Sequence, residues 1–324
     1  MSRKNITKIL TGAIFTSAIL FASFLLSHKL KAQTTGGFNI ELSPGKVNLS
    51  VDPGKSYVQK FSIGNYSGAK RTLYIFMQDF TVFNETGTPT FFENKNTQNE
   101  DLAKFSLSQW VKLPTDKIEL ENNEVKEVEA TITIPENAEA GGHYGAFFVQ
   151  TESPENQGTA IASIGRLVSL MLVNVPGDVK EDIRITKAYT DKQIYFNDNP
   201  QVELITYLKN EGSVHGIPLG AFYVGGGYGG KNRSFIYNQD QGAVLPGAPE
   251  RKLSQSFTLE KAGAIVPPIG KFTIDLVARY GSKNFPIETT IIFWLLPIKF
   301  IAAASLTIII GAFILWRALV SFKK

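Results

Sequence analysis

Two apolar runs bracket this chain, and together they decide where everything between them must fold. Ile9 to Leu26 holds 18 residues without a charge, behind Arg3, Lys4 and Lys8. Phe300 to Trp316 holds 17, ahead of Arg317, Lys323 and Lys324. Each run is near the ~17–25 residues that carry a helix across a bilayer's hydrocarbon core. Basic residues on the outer side of both runs put both ends on the cytoplasmic side. Residues between about 32 and 297 are then expected outside the membrane, as a surface-displayed region.

The first run has two readings. Cleavage after Ala32 makes residues 1–32 a signal peptide, although Leu30 is large for the third position before the cut and His28, Lys29 and Lys31 crowd the site. Retention makes the same residues an N-terminal anchor and gives the chain two spans. The second run, flanked by Trp294 and Trp316 as interfacial aromatics, reads as a transmembrane helix over 297–320 with a basic cytoplasmic tail at 321–324.

Charge follows this topology. Nine of the 33 basic residues and none of the 29 acidic ones lie in the two ends, so the stretch between them is net acidic. The sequence pI near 9.0 therefore reports membrane topology rather than a nucleic-acid partner. Cysteine is absent, so an exported region of this kind is held by its cores alone, which fits a bacterial envelope protein.

Between the ends the chain reads as β. Leu73 to Phe80 is aromatic and β-branched, and Val128, Ala130, Ile132 and Ile134 alternate with Glu129, Thr131 and Thr133. Turn signals recur at Pro44-Gly45, Pro53-Gly54, Gly64-Asn65, Gly87 and Pro135-Glu136-Asn137. Helical periodicity is confined to a short segment around Asp101 to Trp110. Many short strands with frequent turns point to an all-β fold of sandwich type.

The pattern also repeats. Phe61-Ser-Ile-Gly-Asn-Tyr-Ser67 answers Ile205-Thr-Tyr-Leu-Lys-Asn-Glu-Gly-Ser213, and Gly142-His-Tyr-Gly-Ala146 answers Gly270-Lys-Phe-Thr-Ile274. Each half closes on an apolar strand that ends in proline, at Pro176 and Pro297. Two tandem immunoglobulin-like β-sandwich domains account for this, at 33–178 and 179–296, with Tyr144 and Phe272 expected at equivalent corners.

Few motifs carry chemistry. Gly225 to Lys231 has the spacing of a phosphate-binding loop, but a strand-like segment follows where a helix is needed, and Asn232 stands where Ser or Thr would bind magnesium. A glycine-rich hairpin loop is the expectation. His143 and His215 fall in different domains and no cysteine accompanies them, so no metal and no cofactor is expected. The acidic cluster Glu119, Glu121, Glu124, Glu127 and Glu129 alternates with apolar residues and reads as the solvated face of a strand. No Gly-x-Ser-x-Gly elbow or His-Glu-x-x-His motif occurs, and the chain is expected not to be an enzyme. Aromatic residues in apparent loops, Phe83, Phe91, Phe92 and Tyr228, are the candidate ligand contacts. The long connection from Phe83 to Asn99 reads as a recognition loop or an insertion.

The overall plan resembles the bacterial WxL-interacting proteins. The matching residues are Leu42-Ser-Pro44, Val51-Asp-Pro-Gly54, Asn65-Tyr-Ser67 and above all Ala140-Gly-Gly-His-Tyr-Gly-Ala-Phe-Phe148. In the second half they are Lys209-Asn-Glu-Gly-Ser-Val-His215 and Val244-Leu-Pro-Gly247 with Arg251. The resemblance implies that the first sandwich is a peptidoglycan-binding domain and that the partner is cell-wall peptidoglycan or a WxL-type surface protein. It also implies a membrane-anchored binding protein; a structural stalk or assembly subunit without glycan binding is the alternative.

Overall fold

The computed structural model describes residues 39–92, 103–151, 165–261 and 266–321. The N-terminal apolar run lies outside them. The first ten strands are β1 (Ile40–Ser43), β2 (Lys46–Ser50), β3 (Ser56–Asn65), β4 (Arg71–Val82), β5 (Pro89–Phe92), β6 (Val111–Lys112), β7 (Lys117–Leu120), β8 (Glu124–Thr133), β9 (Gly141–Thr151) and β10 (Arg166–Val175). The next eight are β11 (Ile183–Thr190), β12 (Ile194–Tyr195), β13 (Gln201–Asn210), β14 (Leu219–Tyr228), β15 (Arg233–Tyr237), β16 (Arg251–Thr258), β17 (Ile269–Tyr280) and β18 (Phe285–Leu295). One long helix, α1 (Ile298–Ser321), follows.

These strands form two sandwiches of the same plan. In the first, a β1-β3-β8-β6 sheet faces a β2-β10-β9-β4-β5 sheet, with β7 also on β4. In the second, β11-β13-β16 faces β12-β18-β17-β14-β15. In each, the strand that opens the larger sheet lies parallel to the last strand of the domain, β2 on β10 and β12 on β18. Alternation sets which residues fill the gap between sheets. Phe61, Ile63, Val128 and Ala130 meet Leu73, Ile75, Phe147 and Val173 in the first core, where the Phe61 and Phe147 rings stack at 4.2 Å. Val202, Leu204 and Phe257 meet Phe222, Phe272, Ile274 and Phe293 in the second.

The internal repeat is real at its asparagines. Asn65 and Asn210 each end the strand after which the chain turns, and both are buried. Asn65 Nδ2 donates to the carbonyls of Ala69 and Leu120 while its Oδ1 accepts from Ser67 N. Asn210 Nδ2 donates to the carbonyls of Val214 and Val244 while its Oδ1 accepts from Gly212 N. Only a short side chain with both a donor and an acceptor closes such a turn and feeds a neighbouring loop at once.

The second correspondence fails by one register step. Phe272 points into the second core with Ile274 and Leu276. Tyr144 points out of the first sandwich, with Ala146 and Phe148, while Phe147 and Val149 point in. Because side chains alternate along a strand, a one-residue offset moves a ring to the opposite face. The two aromatics therefore do not share a corner.

The outward face of β9 is covered by the second sandwich. Phe80, Val82, Tyr144, Ala146, Phe148 and Leu172 form one buried cluster with Leu245 and Ala248. Hydrogen bonds frame this junction. Gly142 N donates to Ser213 O at 3.0 Å and Lys252 N to Glu85 O at 2.7 Å. Lys46 Nζ donates to Gln241 O at 2.7 Å, and the His215 ring meets Asn48 Oδ1 at 2.9 Å. A Cβ on Gly87 would occupy the position of the Arg251 guanidinium, so that glycine lets the arginine lie across the junction.

Gly225 to Tyr228 continue β14 alongside β17, and β15 returns antiparallel, so the glycine-rich segment is a hairpin with no helix behind it. A Cβ on Gly227 would collide with the Phe272 ring, which is why glycine sits there. The acidic cluster lies on exposed strand faces, paired as Lys70 with Glu119 and Glu121, and Lys60 with Glu127 and Glu129. Part of the long connection after Phe83 is strand β5 on the edge of β4, and residues 93–102 lie outside the described residues. Of the helical segment near Trp110, Ser108–Trp110 is a single 3-10 turn.

Candidate binding site

A groove of varied chemistry on the first sandwich opens at the start of β9. A buried charge builds it. Asp79 lies on β4 among aromatic and branched residues and is fully buried, so its carboxylate must be met by donors. Four supply it: Ser106 Oγ at 2.7 Å, Leu107 N at 2.9 Å, Ser108 N at 2.7 Å and Ser108 Oγ at 2.8 Å. These bonds pin the loop after residue 103 to the sheet and orient the 3-10 turn that carries Trp110.

His143 closes the floor. Its Nδ1 lies 3.1 Å from Ser106 O and its Nε2 3.2 Å from Glu139 O, with the Trp110 ring centroid 4.2 Å away. Two carbonyl acceptors favour the imidazolium, but burial is the larger effect and holds the His143 pKa below the ordinary imidazole value. A neutral ring donates to only one of the two carbonyls. Among the described residues no cluster of His, Asp or Glu could hold a metal ion.

Above this floor lies a groove of about 300 Å³ lined by Lys104, Gln109, Trp110, Pro135, Asn137, Glu139 and His143. A second hollow of about 230 Å³ adjoins it through Lys104, Glu139 and His143 and reaches Gly212 and Ser213 of the second sandwich. An indole face, an ammonium, a carboxylate and two side-chain amides thus line one trough. That set stacks against a sugar ring or an amide plane and hydrogen-bonds acetamido, hydroxyl and carboxylate groups.

The motif Gly141-Gly-His-Tyr-Gly145 is better explained as packing than as ligand contact. A Cβ on Gly141 would lie 2.8 Å from Ser213 O, and one on Gly142 would collide with Tyr144 Oη. The two glycines therefore admit the second domain's turn and the folded-back phenol. Tyr144 is buried against His215, with ring centroids 5.6 Å apart, and burial pushes its phenol pKa up.

The sequence-selected aromatics are not brought together. Phe83, 61% exposed, belongs to the first sandwich and Tyr228, 70% exposed, to the second. Phe91 packs edge-on to Phe148 at 4.8 Å and belongs to the junction cluster, and Phe92 is half-buried. Sequence reasoning missed Lys104, Trp110 and Glu139. The available signal was Asp79, a carboxylate inside an aromatic strand that requires a donor-rich loop beside it.

Comparison with known proteins bears on the first sandwich. No curated protein sequence matches the chain. Among solved structures, the class 5 fimbriae chaperone CfaA is similar at 11% identity and a TM-score of 0.37, over 80% of this chain and 100% of that one. The E. coli chaperone DraB is similar at 12% identity and a TM-score of 0.35, over 78% and 98%. The CsuC-CsuE chaperone–adhesion subunit complex of Acinetobacter baumannii pili is similar at 12% identity and 0.35, over 78% and 97%. The fold assignment rests on the strand topology and not on these values. The family model described as WxL Interacting Protein, peptidoglycan binding domain, matches residues 46–151, which include Lys104, Trp110, Glu139 and His143. Over these residues the chain is similar to the peptidoglycan binding domain of the WxL interacting proteins.

Proposed function

We propose that this protein is a non-catalytic, membrane-anchored envelope protein that holds peptidoglycan in the Trp110 groove of its first sandwich. The observation that carries this reading is the coincidence of that groove with the family-matched segment. In this account residues 1–32 direct export. The two sandwiches, 33–178 and 179–296, stand outside the cell, and α1 holds them to the membrane. The helix spans 24 residues, long and apolar enough to cross a bilayer. Tethering near the wall raises the effective ligand concentration, so modest affinity suffices. A WxL-type surface protein is the other candidate partner, drawn from the family description.

A second reading, a rigid stalk that holds a surface complex together, is favoured by the buried junction between the sandwiches. Sedimentation with insoluble peptidoglycan separates the two. The extracytoplasmic region should pellet with the wall, and Trp110→Ala or Lys104→Ala should release it, while Tyr228→Ala should not. Recovery in the supernatant, with peptidoglycan and with envelope extract alike, would leave the stalk reading in front.

A further inference from the structure

The second sandwich carries an apolar base next to α1. Ile194 and Trp294 are register partners across β12 and β18, and both point outward, 42% and 46% exposed. Ile292 lies two residues before Trp294 on the same face, 48% exposed, and Phe196 follows β12, 50% exposed. An exposed apolar cluster of this kind on a folded domain marks a contact surface.

The chain leaves little freedom over what that contact is. Between the last residue of β18, Leu295, and the first of α1, Ile298, only Leu296 and Pro297 intervene. Three extended steps span at most about 10 Å. The link is also tied down, with Leu296 N donating to Tyr195 O at 2.7 Å and Ile298 N to Phe196 O at 3.3 Å. Phe196 is therefore hydrogen-bonded to the residue at which the helix begins. Lys192, Lys271 and Lys299 are exposed around the same end, and Lys271 is the register partner of Trp294.

We infer that this base rests in the headgroup layer, with Ile194, Phe196, Ile292 and Trp294 against lipid and the three lysines toward phosphates. The inference depends on the anchoring proposed for α1. It continues the lipid contact of the helix onto the domain, as interfacial aromatics and basic residues do at other membrane surfaces. The sandwich is thereby held at a fixed tilt rather than swinging on a hinge. The same outer sheet face carries Ile236 near its far end, in register with Ala221 and, through it, Val277. Val277 is six residues along β17 from Lys271, about 20 Å at strand rise. The headgroup zone is only ~5–8 Å deep on each side, so Ile236 stays in water.

The chain has no cysteine, so single labels are unambiguous. Full-length protein is placed in phosphatidylglycerol–phosphatidylcholine vesicles with an environment-sensitive nitrobenzoxadiazole dye at Phe196→Cys or Ile236→Cys. Trp316 emission with shallow-brominated lipid, together with its protection from iodide added outside the vesicles, in a Trp110→Phe, Trp294→Phe background, reports insertion of the helix across the bilayer. Trp294 emission with shallow-brominated lipid, in a Trp110→Phe, Trp316→Phe background, reports the base without a label. The expected result is Trp316 quenched by lipid and protected from iodide, Trp294 quenched, a blue-shifted signal at 196 and a water-like signal at 236. Trp316 quenched with Trp294 unquenched and a water-like signal at 196 would keep the anchor and overturn the base contact. Blue shifts at both labels would mean that the whole face lies flat, which also overturns it. Trp316 unquenched by lipid, or open to iodide, would remove the anchoring and the inference with it.

Discussion

Acidification should loosen the junction between the two sandwiches through His215. The His215 ring is buried there, with Nε2–H donating to Asn48 Oδ1 and Nδ1 buried without a partner. Protonation would add a charged N–H with no acceptor, near the Lys46 ammonium. Burial first, then Lys46, lowers the His215 pKa from 6.5 to about 4. The neutral form is the one that fits, so the stabilisation is complete above the unfolded value of about 6.5 and is lost as pH falls toward about 4. At ~1.4 kcal/mol per unit, that gap is worth about 3 kcal/mol. His143 shifts in the same direction and carboxylates titrate in the lower half of the window, so the measurement is a difference. Denaturant midpoints of wild type and His215→Gln are followed from pH 7.5 to pH 4, with His143→Gln as a parallel series. Wild type should lose about 3 kcal/mol more than His215→Gln over the window. Identical slopes in both proteins would refute the buried neutral histidine and the account of the junction built on it.

Gly142→Ala should destabilise the junction by ~1–3 kcal/mol, because its methyl collides with Tyr144 Oη, and Tyr144→Phe should recover part of the loss in the double variant, read by thermal melts. Asn65→Ala and Asn210→Ala should each cost about 2–3 kcal/mol by leaving buried carbonyls unpaired, measured by denaturant unfolding, and near-neutral results would end the argument that the repeat is built on these turns. Phe147→Ala, which removes the ring stacked on Phe61, should cost ~3–5 kcal/mol in the same assay. Asp79→Asn should weaken peptidoglycan sedimentation more than a surface change does, since a neutral amide cannot accept from all four donors of the Trp110 loop.

Much of the fold was readable because it is written in local alternation. Leu73 to Phe80 and Val128 to Ile134 show strands whose core-facing residues are apolar, and they became β4 and β8. The two asparagine turns were readable as a repeat because the same side-chain chemistry closes both. Which way Tyr144 faces was not readable, since both faces of β9 are buried, one by its own sandwich and one by the next domain. A strand covered on both sides loses the alternation that fixes its parity. For the same reason Phe91 is junction packing on edge strand β5 and not a loop aromatic. The groove is not legible in the sequence because it is assembled by Asp79 reaching a loop almost 30 residues away, a contact that no periodicity encodes.

The central claim is that the Trp110 groove holds peptidoglycan, and the direct measurement is a titration with a defined soluble disaccharide-peptide fragment of the wall. Trp110 emission is followed in a Trp294→Phe, Trp316→Phe background, which leaves one of the three tryptophans. The account predicts a saturable change in emission that Lys104→Ala weakens and Tyr228→Ala leaves intact. A flat titration in a folded protein that still pellets with the intact wall would contradict it and move the binding face elsewhere on the molecule.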